Sequence, residues 1–496
     1  MLSSCRKDFE FEASNGGLRF SRDTVYLDTV FKNIGSSTYT LKVYNRSDKD
    51  IVIPSIKLAK ADSKYRMMVD GTTGNGGNGK FFSNIELLAK DSLFIFIETT
   101  ADITDTNQTD FLYTDQIEFD AGTKLQKVEL VTLIQDAVFL YPQRNEAGEY
   151  ESLLVGNDTI YGFYLDEADP INGNEYHLTN EKPYVVYGFA AVASNKNLII
   201  DPGARLHFHD SSGIIVANGG AVIAGAENPN PTPETEVVFE GDRLEPLYSD
   251  VPGQWSAIWL TSGSSINLNH VTIKNAIYGL WIQNSDATIK NTQIYDCSNY
   301  GIYSQTGRIN AENLVINYAG VATLGCRWGG TYDFTHCTFN NNWPSSSQVA
   351  VVIDNYFLDE NRIQQPFDLQ HANFTNCIIF GSNQTALSIF KSTQPALWTD
   401  PVFTKCQIKF NAPSQFFLDN PIYNFINDAS QVIKNGNPDF LDYRTNKLMI
   451  GEASSAKDFG NSTAVTRDIL GAPRTVGPQG KYDLGAYQSV IFQTDN

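Results

Sequence analysis

The chain has 496 residues, enough for two or more domains or one long repeat array, and combines 42% hydrophobic with only 19% charged residues. Its formal charge is 36 − 56 = −20 and no run of Lys or Arg stands out, which argues against nucleic acid as a partner because a polyanion would be repelled before docking. No stretch approaches the ~18 to 20 apolar residues that a membrane-spanning helix needs, and the wealth of Gly, Asn, Thr, Tyr and Phe points to a turn-rich β chain with little helix.

The chain opens Met1-Leu2-Ser3-Ser4-Cys5, small residues running into a cysteine. This resembles the tail of a bacterial lipoprotein signal, and the resemblance implies that Cys5 is diacylated and that residues 1–14 are anchor and tether. The next residues, Arg6-Lys7-Asp8-Phe9-Glu10-Phe11-Glu12, resemble the basic-then-acidic export tags of Bacteroidetes surface lipoproteins. That resemblance implies an outer-membrane, cell-surface protein.

Residues 15–137 read as short β-runs between turn signals: Thr38 to Tyr44, Asp50 to Ile53, Phe94 to Ile97, Gln116 to Phe119 and Val128 to Leu133. Several alternate apolar and polar, as half-buried strands of a sandwich do. The pattern is similar to the N-terminal immunoglobulin-like modules of the same lipoproteins. Residues 71–79, with five glycines and two asparagines, predict a flexible loop. It lacks the GK[ST] ending and following helix of a phosphate cradle.

Residues 138–182 are read as connector and cap, and residues 183–490 as a repeat array. Leu268, Ile273, Gly279 and Leu280 recur as Ile289, Ile294, Gly301 and Ile302, then as Ala311, Ile316, Gly320 and Val321, and Phe334 and Phe339 follow 23 residues beyond Ala311 and Ile316. A period of 21 to 23 with a Gly-marked corner is one coil of a parallel β-helix, which buries its inward side chains only by stacking on its neighbours at ~4.8 Å. The predicted fold is all-β: a right-handed parallel β-helix preceded by an immunoglobulin-like β-sandwich. Leu198 to Leu206 and Gly213 to Val222 resemble the opening coils of bacterial right-handed β-helix proteins, and Asp468 to Arg474 with Tyr482 to Tyr487 resemble their closing segment, Gln488 standing where Glu is usual. Such helices host lyases, hydrolases, adhesins and inert scaffolds alike.

Three cysteines fall in matching settings, Phe334-Thr-His-Cys337, Phe374-Thr-Asn-Cys377 and Phe403-Thr-Lys-Cys406, which predicts an inward thiol column that Cys297 is placed to join. A Cys326–Cys337 disulfide is left open. No CxxC pair occurs, so zinc and redox sites are not expected. His207 and His209 share a strand face, better explained by strand-end packing than by a metal, since no third ligand lies nearby.

Trp259, Trp281 and Tyr303 are spaced 22 and 22 residues apart, each between residues that must point inward. They predict an exterior aromatic stripe, either covered by a loop, domain or partner or offered to successive sugar rings. Just before Trp259 one corner is expanded, and Asp242, Arg243, Glu245, Tyr248 and Asp250 give it the residue types that uronate lyases and glycosidases use. Arg327 and Trp328 lie two to three coils on.

No paired-Asp signature of polygalacturonase-like hydrolases is present, and no catalytic residue is assigned. The expected function is binding or scaffolding, with an outer-membrane protein complex or a glycan as partner. The alternative is a polysaccharide lyase or glycoside hydrolase. No cofactor is expected, and Ca²⁺ enters only as a bridge between an acidic glycan and so acidic a chain.

Overall fold

The computed structural model describes residues 10–100, 110–412, 414–477 and 480–492. Cys5 and the first residues of the export-like tag lie outside the described residues. The chain divides into two compact units, Met1–Ala137 with Leu244–Pro246, and Val138–Arg243 with Leu247–Asn496.

In the first unit, two sheets share one core. One pairs the strands Glu12–Ala13, Ile51–Leu58, Asp110–Phe119, Gln126–Gln135 and Thr24–Phe31, with Phe81–Leu87 on Ile51–Leu58; the other orders Arg19–Phe20, Tyr39–Tyr44, Ser92–Thr99 and Tyr65–Val69. The alternation visible in the sequence is the physical cause. Leu93, Ile95 and Ile97 face inward while Phe94 and Phe96 face outward, because successive side chains of a strand point to opposite faces. The glycine-rich stretch is pinned rather than loose. Asn75 N donates to Phe81 O (2.7 Å) and Gly79 N to Thr73 O (2.9 Å), and a Cβ at Gly74 would lie 2.4 Å from Phe81 O.

The second unit is dominated by parallel pairing. An eighteen-stranded sheet starts at Val138–Leu140 and a ten-stranded sheet at the hairpin Ser152–Val155 with Asp158–Tyr164. Strands pair with those one repeat away: Leu268 over Ile289 over Ala311 over Phe334 over Phe374 over Phe403, and Ile273 over Ile294 over Ile316 over Phe339 over Ile379 over Ile408. These columns are buried throughout. From Phe334 onward the inward column becomes a ring stack, with Phe334–Phe374 and Phe374–Phe403 centroids both 4.9 Å apart, the offset-stacked geometry that adds to area burial.

The corners differ from expectation. Gly279 and Gly301 lie inside the strands Ala276–Gln283 and Tyr300–Gln305, where a Cβ would come within 2.5 Å of Ile294 Cγ2 and 2.3 Å of Ile316 Cγ2 respectively. They make room for inward isoleucines. The turns are made instead by residues in the left-handed region: His270, Asn291, Asn313, His336, Asn376 and Lys405, with φ between 46° and 56°, stand in one column. Asn tolerates that conformation because its short amide bonds locally. Here the amides bond along the stack, Asn291 Nδ2 donating to Asn269 Oδ1 (2.9 Å) and Asn313 Nδ2 to Asn291 Oδ1 (2.8 Å).

Cys337, Cys377 and Cys406 stand in register and are buried. Cys297 does not join them; it pairs with Ala319 in another column. Cys326 and Cys337 are both free thiols, so the disulfide left open by the sequence does not form.

The closing segment does not plug the end of the stack. It runs back along the eighteen-stranded sheet and covers its outer face, where Leu448, Ile469, Ala486 and Tyr487 pack on Val315, and Ile450, Ala456 and Leu484 on Ile378. Polar clamps hold it. Arg474 Nη2 donates to Asn313 Oδ1 (2.6 Å) and Gly485 O (3.0 Å), while Asp468 accepts from the backbone of Leu470, Ala472 and Gln488.

Candidate functional site

Trp259, Trp281 and Tyr303 stand in register on the outer face of the ten-stranded sheet. The two tryptophans turn their ring planes toward each other. The indoles lie 4.4 Å apart with planes only 6° from parallel, so each spends a ring face on the other. Phe189 meets Trp259 edge-on at 6.4 Å, and Tyr278 and Tyr303 follow Trp281 at 5.5 and 6.3 Å. The indole N–H groups are satisfied too, Trp259 Nε1 donating to Gln283 Oε1 (2.7 Å) and Trp281 Nε1 to Gln305 Oε1 (3.0 Å). A ladder closed in this way stabilises the sheet face and spends one face of each indole on its neighbour.

Further along the stack the same column shrinks, from Tyr303 to Gly325, Val352 and Ser388. The surface steps down into a trough of about 960 Å³, inside the size range of ligand clefts. Its walls come from insertions: the step from Phe334 to Phe374 is 40 residues where earlier steps are 21 to 23. The extra length forms the corner at 342–348 and the hairpin Tyr356–Leu358 with Gln364–Pro366. The floor is small because Tyr300 folds its ring over Gly325, where a Cβ would sit 2.9 Å from Tyr300 Cε1.

At one end of the trough lies an ion pair, Arg327 Nε to the Asp354 carboxylate. Arg327 Nη1 also donates to the Tyr300 hydroxyl (2.8 Å). Burial pushes the Asp354 carboxyl up from its ordinary value, opposed by Arg327. Burial also disfavours the Arg327 charge, but Asp354 and the neighbouring tyrosines more than restore it. Trp328 follows at φ 59°, a conformation that costs a bulky L-residue on the order of 1–2 kcal/mol. It is held there by Asp354 Oδ1, which accepts from Trp328 N (2.9 Å), and by the rings of Phe357 and Phe367 at 4.8 and 5.8 Å. The equivalent corner residues Asn284 and Thr306 are left-handed too, with φ 43° and 54°, so the conformation belongs to the repeat.

The expanded corner does not converge with this pair. It leads into the first residue of Trp255–Leu260, whereas Arg327 is the last residue of Ala322–Arg327, so in a parallel sheet the two lie at opposite strand ends and three strands apart. Asp242 accepts from His209 Nδ1 (2.7 Å), which raises the His209 pKa, and His209 packs on Tyr187 at 4.6 Å. Arg243 lies over the Tyr248 ring at 3.8 Å and Asp250 is exposed. Glu245 falls in the stretch Leu244–Pro246 that groups with the first unit. His207 is buried beside Glu240, with its pKa lowered by burial. The pair His207 and His209 thus turns to different carboxylates, and among the described residues no group of three or more His, Cys, Asp or Glu gathers as a metal site.

Of the residues singled out from the sequence, Tyr303, Arg327 and Trp328 reach the trough; Tyr300, Val352, Asp354, Phe357 and Gln384 were missed. The lengthened repeat after Phe334 is a signal for Val352, Asp354 and Phe357, which lie within it.

No protein-family model and no curated protein matches the chain. Among solved structures, a family 123 glycoside hydrolase from Clostridium perfringens shares 8% identity over 24% of this chain and 26% of that one, at a TM-score of 0.17. The E. coli chaperone DraB shares 12% over 30% and 80% at 0.17. The catalytic domain of a GH87 α-1,3-glucanase, solved with tetrasaccharides, shares 9% over 74% and 80% at 0.20. Likenesses of this size carry no argument about fold or activity.

Proposed function

We propose that this chain is a glycan-binding lipoprotein of the outer-membrane surface: an immunoglobulin-like β-sandwich, then a right-handed parallel β-helix that takes carbohydrate in the trough beside Arg327 and Trp328. The stacked parallel pairing at steps of 21 to 23 residues supports the β-helix, and the lipobox-like start supports the anchor at Cys5. The observation that carries the binding role is the trough itself, where aromatic surface from Tyr303, Trp328 and Phe357 meets side-chain amides and hydroxyls. A pyranose, with an apolar ring face and a rim of hydroxyls, fits such a lining. Binding is favoured over hydrolysis because Asp354 is the sole carboxylate among the described residues lining the trough, and it is ion-paired; the usual glycosidase needs two.

Affinity electrophoresis over a panel of polysaccharides tests this. Retardation by at least one glycan, lost in Trp328→Ala and kept in Trp281→Ala, is the expected result. Unchanged mobility across the panel, or equal loss in both variants, refutes the site. Release of new reducing ends would establish the hydrolase alternative. For the anchor, Cys5→Ala should move the protein from the membrane to the soluble fraction, and protease shaving of intact cells should degrade the wild type.

A protein partner is a second reading, favoured by the apolar exposure of the opening hairpin, where Leu154 is 73% and Tyr164 57% exposed. Co-purification with a membrane protein after mild detergent extraction would support it.

A further inference from the structure

Resting on the glycan reading, we infer that the trough selects neutral sugars and rejects uronate and sulfated glycans, because the cation that lines it is already neutralised from below. Arg327 is the sole Lys or Arg among the described lining residues. Asp354, whose side chain is 5% exposed against 27% for Arg327, lies beneath it and is ion-paired to it. The carboxylate is too buried to meet a ligand and serves as a fixed counter-charge, while the guanidinium stays accessible as a donor.

An anionic sugar would therefore meet a site of no net charge, on a chain of −20, and would gain no Coulombic attraction to offset its desolvation. A neutral sugar has different needs. Its hydroxyls both donate and accept, and the rest of the rim supplies both kinds of partner: Gln384, Ser346, Ser347 and Ser388 carry an amide and hydroxyls and no charge. The Tyr300 hydroxyl, which accepts from Arg327 Nη1, keeps its own proton for a sugar oxygen. One apolar face of a pyranose then lies against the aromatic wall that Tyr303, Trp328 and Phe357 give the trough, in which Asp354 fixes the backbone of Trp328. Asp354 is thus a positioning residue for both Arg327 and Trp328.

The test compares dextran, laminarin and α-mannan with polygalacturonate in affinity gels at about 0.01 M and about 1 M salt, across which the Debye length shrinks from ~30 to ~3 Å. Retention by a neutral probe that changes less than twofold with salt, with polygalacturonate at least tenfold weaker, is expected. Asp354→Asn uncovers the Arg327 charge and should bring salt-sensitive retention by polygalacturonate; the wild-type salt comparison decides the matter should that variant fail to fold. Polygalacturonate held more tightly than every neutral probe, and released at high salt, overturns the selectivity while leaving the glycan reading intact. Retention by no glycan removes the glycan reading itself, and this inference with it.

Discussion

The two outer faces of the repeat array are built from the same alternation and finished in different ways. On the eighteen-stranded sheet the chain's own C-terminal segment lies over Val315 and Ile378 and is locked by Arg474, Asp468 and Asp483. On the ten-stranded sheet the outward column closes on itself through stacked indoles and then drops to Gly325, Val352 and Ser388. An array of parallel strands exposes apolar surface on every repeat, and the contrast shows two means of managing it: cover it with chain, or pair its rings. What neither means finishes is the trough.

The covered face should be the more fragile to a single change. Arg474 is buried with three acceptors, Asn313 Oδ1, Gly485 O and Ala486 O. Arg474→Met should cost about 3 kcal/mol, the upper range for hydrogen bonds to a charged group, and open residues 436–490 to limited proteolysis before the repeats unfold. An unchanged digestion pattern would mean that the apolar contacts alone hold the segment. On the other face, Trp281→Ala removes the ring between Trp259 and Tyr303 and should cost about 2 kcal/mol, below the fully buried Trp→Ala range because the ring is half-exposed, read as a lower denaturation midpoint with glycan retention intact.

Acidity acts in both directions on the covered face, where Asp296 accepts from Asn446 Nδ2 of the C-terminal segment (3.0 Å). His336 stands under the C-terminal segment, its pKa lowered to about 2 by burial and by Arg474. The unfolded chain takes up that proton first, so this stability is complete above pH ~6.5 and is lost as the pH falls, at up to about 1.4 kcal/mol per unit. His336→Asn, the residue at the equivalent corners 313 and 376, should flatten the acid limb of a stability curve. Asp296 behaves oppositely. Burial and the nearby Asp250 raise its carboxyl to about 7 from an ordinary 3.8, so the folded state holds the proton longer and stability is lost as pH rises from ~4 to ~7. Asp296→Asn should raise the midpoint at pH 8 and leave it unchanged at pH 4. The smallest stability effect is expected at Trp328, where Trp328→Gly trades ring contacts with Phe357 and Phe367 against relief of the left-handed φ and should alter stability by no more than about 1 kcal/mol, while glycan retention disappears.

How far the sequence reaches can be judged residue by residue. The column Leu268, Ile289, Ala311, Phe334 was legible because an inward position tolerates only apolar bulk, and that demand repeats with the coil. The thiol column was legible for the same reason. The corners were not legible, since the glycines that mark the repeat, Gly279 and Gly301, relieve crowding against isoleucines, and the chain turns beside them at Asn275 and Asp296 and at the next corner at Asn291 and Asn313. Nothing local distinguishes these two uses of a small residue. The stripe of Trp259, Trp281 and Tyr303 was legible as a line but not as a set of ring planes, because a plane is set by the neighbour above and by the glutamines 24 residues on.

Length and spacing thus dictated which side chains overlie one another, because a period near 22 returns the same position to the same face at every coil. Only the tertiary structure decided what that overlay exposes. Where an aromatic finds an aromatic above it the faces close, and where Tyr303 finds Gly325 and Val352 they open into a trough. That outcome depends on insertions folding in from both strand ends and on one buried carboxylate, Asp354, holding Arg327 and Trp328 in place, contacts between residues 26 and 27 positions apart that no local pattern encodes.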